Sequence, residues 1–112
     1  MIANQSAIRT SSKGTVNQTV NVAMSGYTNV TGTGTASISI SPVANLSKAW
    51  FEHEIVGTVS GMYGSVCKIS NLTAVLYQNY IQVTFTVTGS YGFDGDSCTV
   101  KLSGNYQVIE FY

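Results

Sequence analysis

The chain contains few residues whose types and spacing could do chemistry. One histidine, His53, stands between Glu52 and Glu54, and a histidine beside a carboxylate is the base and orienting part of a hydrolytic triad. In an extended segment, however, adjacent side chains point to opposite faces, so neither glutamate can orient His53 within its own strand. His53 is therefore read as structural. The same alternation puts Glu52 and Glu54 together on one face, an arrangement that could serve acid/base work or bind a cation. We read it as a solvated face, or one that meets a positive group on a partner subunit. Asp94-Gly95-Asp96 supplies two carboxylates across a glycine. A calcium loop would need more oxygen ligands than Ser90, Ser97 and backbone carbonyls add, so a hairpin turn is expected there. No P-loop, paired Cys-x-x-Cys or nucleophile elbow is present, and Gly32-Thr33-Gly34 lacks both a third glycine and a following helix. The expectation is a protein that is not an enzyme, with no catalytic residue, no metal and no cofactor.

Two cysteines, Cys67 and Cys98, are too few for a disulfide scaffold and match no zinc spacing. Each shares an apolar phase with its neighbours, Cys67 with Ile69 and Cys98 with Val100 and Leu102, so buried free thiols are the expected state. One bridge would form if their two strands were neighbours. Among the aromatics, Phe51, Phe85 and Phe111 lie on apolar phases and are read as core. Tyr27, Tyr63, Tyr80, Tyr91 and Phe93 fall at turns or loop edges, where tyrosine is a frequent contact residue. Trp50, Tyr63, Tyr91 and Phe93 are the candidate exposed contacts, toward another subunit in preference to a glycan.

These residues must be positioned by short strands. Val16, Val20, Val22 and Met24 share one phase of residues 15 to 24, the period of a half-buried strand. Tyr27 to Thr35 reads as a Gly/Thr/Asn loop, followed by a strand ending at Pro42, which cannot donate to a ladder. After a turn at Val43 to Ser47, residues 48 to 56 form a strand in which Phe51, His53 and Ile55 oppose Glu52 and Glu54. Val66 to Ile69 and Leu72 to Tyr77 read as two strands separated by Ser70-Asn71. Residues 81 to 88 alternate most clearly. Cys98 to Leu102 and Tyr106 to Tyr112 complete the set, separated by Ser103-Gly104. Seven to nine short strands at spacings of roughly ten residues predict an all-β fold, a single antiparallel β-sandwich or flattened barrel. Residues 1–12 are expected to be a flexible arm and 13–112 the sandwich.

Composition supports this. At 112 residues there is room for one domain. Charged residues are only 9% of the chain, against a usual ~25%, and fourteen Ser, thirteen Thr and eight Asn take their place. The formal net charge is zero, which removes the electrostatic footprint of nucleic-acid or anionic-membrane binding and favours association with other subunits. The first residues do not read as a signal peptide and no apolar run reads as a membrane span. The five Asn-x-Ser/Thr sequons, at Asn4, Asn17, Asn29, Asn45 and Asn71, are given no weight in a chain so rich in Ser and Thr.

Three segments resemble a set of short tailed-phage virion structural proteins. They are Thr35-Ala36-Ser37-Ile38-Ser39-Ile40-Ser41-Pro42-Val43, then Leu46-Ser47-Lys48-Ala49-Trp50, and the terminal Tyr106-Gln107-Val108-Ile109-Glu110-Phe111. The resemblance spans about residues 9 to 112 and rests on structural motifs. The chain departs from it with Tyr106 where tryptophan is common and with its long Thr/Gly stretch at 28 to 35. It implies a virion component of the head-decoration, tail or fibre group, and it carries no catalytic residue. The expected function is a small capsid decoration or cement protein on the outside of the head, with a tail or fibre module binding a host receptor or glycan as the alternative. The expected location is the virion, after synthesis in the host cytoplasm. The expected partners are copies of itself, with a trimer favoured, and the major capsid protein or another virion protein. Ile2, Gln5, Ile8 and Arg9 of the polar arm are the candidate contacts.

Overall fold

The computed structural model describes residues 7–25, 30–61, 67–89 and 97–112. They form an all-β sandwich of two three-stranded antiparallel sheets. In chain order the strands are β1 (Ile8–Ala23), β2 (Val30–Ser39), β3 (Ala49–Gly61), β4 (Lys68–Leu76), β5 (Tyr80–Gly89) and β6 (Ser97–Phe111). Sheet A has the order β1-β6-β3 and sheet B the order β2-β5-β4. One 3-10 turn, Leu46–Lys48, precedes β3. Among the described residues no helix is long and apolar enough to cross a membrane.

The strands are fewer and longer than the sequence predicts, and each difference has a local cause. β1 starts at Ile8, because residues 8 to 12 pair with Val108 to Phe111 of β6. That stretch of the expected arm is thus held by a ladder, and residues 1–6 lie outside the described residues. β2 starts at Val30 within the expected loop. Its threonines Thr31, Thr33 and Thr35 face solvent while Gly32 and Gly34 face inward. A Cβ on Gly34 would meet Phe85 Cζ at 2.5 Å, so the glycine is where the opposing phenylalanine seats.

Two expected breaks are internal to strands. In β4 the register shifts by one residue between Ser70 and Thr73, with Asn71 at φ 54°. This is a β-bulge with asparagine in the left-handed region it tolerates. It moves the half-buried phase from odd residues (Cys67, Ile69) to even ones (Leu72, Ala74, Leu76), which is why the sequence reads as two strands. In β6 the register runs unbroken through Gly104. That residue has φ 139° and lies so close to the Glu54 carbonyl that a Cβ would overlap it.

The core lies between the sheets. Ile81, Val83, Phe85 and Val87 of β5 face Val100, Leu102 and Val108 of β6, with Val16 and Val22 of β1. Burying each such side chain is worth about 1.5–3 kcal/mol. Phe51 packs on this core from its edge. Phe111, expected inside, lies on the opposite phase from buried Val108 and is only half-buried.

Cys67 and Cys98 form a disulfide. The expectation of free thiols fails because Cys67, just before β4 of sheet B, and Cys98, at the start of β6 of sheet A, come together across the sandwich. The bridge therefore fastens sheet A to sheet B instead of joining neighbours within one sheet. Sheet A extends beyond sheet B at the far end, where the connection 40–48 closes the core. Val43 is buried there, and its N–H donates to the Gln78 carbonyl at 2.6 Å.

Candidate functional site

The outer face of sheet A carries three rows fixed by register. Trp50, Ile109 and Ser11 form one row; Glu52, Gln107 and Lys13 the next; Glu54, Asn105 and Thr15 the third. Strand spacing sets these side chains about 4.8 Å apart across the sheet, and about 6.6 Å apart along it between rows. The polar rows border an open groove of about 230 Å³ lined by Lys13, Glu52, His53, Glu54, Asn105, Tyr106 and Gln107. Glu52 and Glu54 thus share one solvent-facing side, as the alternation predicts. Lys13 stands on the same face, two strands away in the row of Glu52. Trp50 is 45% exposed beside them.

His53 lies on the inner face. Its ring stacks on Phe51 with centroids 5.3 Å apart, and Nδ1 accepts a hydrogen bond from the Ile55 N–H at 3.2 Å. Its neighbours Glu52 and Glu54 project from the other side of the sheet.

The far end of sheet A holds a buried carboxylate that the sequence reading missed. Glu110 is 1% exposed and on the phase of Val108. Its Oε1 accepts from the Ala44 N–H at 3.0 Å and the Thr10 hydroxyl at 3.3 Å, and its Oε2 from the Asn45 N–H at 2.7 Å. The Arg9 guanidinium lies 3.9 Å away. Burial pushes the carboxyl pKa up, but the two backbone donors, the Arg9 charge and the Thr10 hydroxyl outweigh it, so the group stays below its usual 4.5. Glu110 therefore anchors the 40–48 connection to sheet A. The available signal was a charged residue on the apolar phase of the last strand.

Around this anchor two large apolar side chains are exposed among polar neighbours. Ile8, 48% exposed, pairs with Phe111, and Leu46 is exposed on the 3-10 turn. Arg9 lies over the Tyr112 ring at 5.6 Å, and the Tyr112 N–H donates to the Ala7 carbonyl. The structure thus brings Ile8 and Arg9 to one end and places Trp50 on the adjoining face. Ile2, Gln5, Tyr63, Tyr91 and Phe93, and the Asp94/Asp96 pair, lie outside the described residues. Lys13, Asn105 and Gln107 were not singled out in the sequence; their signal was a shared polar phase, which only cross-strand register turns into one site. Comparison with protein-family models, with curated proteins and with solved structures finds no match.

Proposed function

We propose that the protein is a phage virion structural subunit, a small decoration or cement protein that binds the outside of the capsid. The observation that carries this reading is the exposed apolar end formed by Ile8 and Leu46 around the Arg9–Tyr112 contact, on a chain of zero net charge. Apolar side chains held on strands and a pinned turn make a preformed contact surface, and such a surface repeated over a shell adds stabilisation at each copy. The inter-sheet disulfide supports a working life outside a reducing cytosol, and the resemblance to tailed-phage virion proteins points the same way. Subunits, as trimers, lie across junctions between capsomers, and the area they bury resists internal pressure.

The test is co-sedimentation of the purified protein with capsids that lack it, with light scattering to give its oligomeric state. Stoichiometric coating is the expected result. The double variant Ile8→Ser/Leu46→Ser should weaken it at least tenfold while remaining folded. A wild-type protein that leaves such capsids bare refutes the reading.

A further inference from the structure

We propose that the groove on the outer face of sheet A is a saccharide site, taking one or two neutral or amino-bearing sugar residues stacked against Trp50. The inference goes beyond capsid binding and uses neither Ile8 nor Leu46.

Its size sets the ligand class. About 230 Å³ is below the roughly 300–1,000 Å³ of sites for drug-sized molecules, so a ligand no larger than a small sugar fits. Its chemistry narrows it further. Glu52 and Glu54 only accept, Lys13 only donates, the Asn105 and Gln107 amides do both, and His53 and Tyr106 complete the lining. Sugar hydroxyls donate and accept at neighbouring positions, so this mixed set can satisfy them in pairs. Trp50 supplies the remaining element. It stands outside the groove's own lining, in the row next to Glu52 on the same face, and leaves a broad apolar surface in water, on which the C–H face of a pyranose that reaches past the groove can lie.

Other occupants fit less well. A peptide strand needs an open backbone edge, whereas β6 runs through the middle of the groove and is paired on both sides. Two carboxylates against one ammonium give the groove a formal charge of −1, which repels phosphate backbones and anionic sugars alike. Because every lining residue stands on a paired strand, the spacing is set before the ligand arrives, and little ordering is needed on binding.

The experiment is a glycan array carrying neutral, amino-bearing and sialylated oligosaccharides, followed by NMR titration of the free protein with the best-bound sugar. Neutral or amino glycans should bind, with amide shifts concentrated at residues 13, 50 to 54 and 105 to 107. Trp50→Ala and the double variant Glu52→Gln/Glu54→Gln should each weaken binding at least tenfold without lowering Tm, since all three side chains are exposed. Val75→Ser, on the outer face of sheet B, should leave binding unchanged. Absence of binding to neutral and amino glycans, preference for sialylated ones, or full binding by both groove variants would overturn the site. Since the array uses free protein, its outcome stands apart from capsid binding.

Discussion

Reducing the Cys67–Cys98 bridge tests how the two sheets are held together. The bridge closes a loop with a sequence separation of 31. For a loop of that length the loss of chain entropy in the unfolded state amounts to about 3.7 kcal/mol at 25 °C. A domain of this size has only about 5–15 kcal/mol in total, so the bridge carries a large share. With the usual unfolding entropy per residue, the loss corresponds to a fall in Tm of roughly 15 °C, and to a urea midpoint lower by about 2 M at a slope of about 2 kcal/mol/M. The measurement is urea denaturation of wild-type protein with and without dithiothreitol, beside the Cys67→Ser/Cys98→Ala variant. The reduced protein should remain folded, because the core of Val83, Phe85, Val100 and Leu102 does not depend on the bridge. Thiol titration of the denatured, unreduced protein should find no free thiol. Two titratable thiols, or a difference between oxidised and reduced protein under about 1 kcal/mol, would refute the reasoning.

Glu110 gives a pH prediction with a definite sign. Its folded pKa is lowered from 4.5, so its contribution to stability is fully present above pH 4.5 and is lost as pH falls through the lower folded value. Glu110→Gln should be less stable at pH 7, since an amide presents an NH2 group to the Ala44 or Asn45 N–H. The Tm difference from wild type should shrink below pH 4.5, and parallel curves down to pH 3 would refute the role. Gly34→Ala should cost about 1–3 kcal/mol in denaturation by pressing on Phe85. Combined with Phe85→Leu, the cost should be less than additive; additive costs would place the strain elsewhere.

How much the sequence could tell depended on whether a feature is local. Period-two alternation is a property of neighbours, so β5 and the opposed faces of β3 could be read directly. The bulge at Asn71 and the passage of β6 through Gly104 were misread as breaks, because a phase change and a glycine look the same whether a strand ends or bends. The first half of β2 was hidden because two of its inward positions, Gly32 and Gly34, are glycines, and Phe85, the partner in Gly34's register, lies fifty-one residues away. The groove was hidden for the same reason. Glu52 and Glu54 could be seen as a pair, but Lys13, Gln107 and Asn105 come from the two other strands, and no local pattern says which strands are neighbours. The disulfide required knowing that Cys67 and Cys98 meet across the two sheets.

The central place of β6 has a consequence for how the protein comes into being. Sheet A has β1 and β3 at its edges, and among the described residues both pair only with β6, the last of the six strands in chain order. Ile8 must wait for Phe111 and Trp50 for Ile109. At roughly 5–20 residues per second on a ribosome, the first strand emerges many seconds before its partner exists. Among the described residues only the β4–β5 hairpin joins strands that are consecutive in the chain. Sheet A thus cannot be completed until β6 has emerged. A nascent chain that stops short of Ser97 holds two long, unpaired, apolar-faced strands, the species a chaperone would meet.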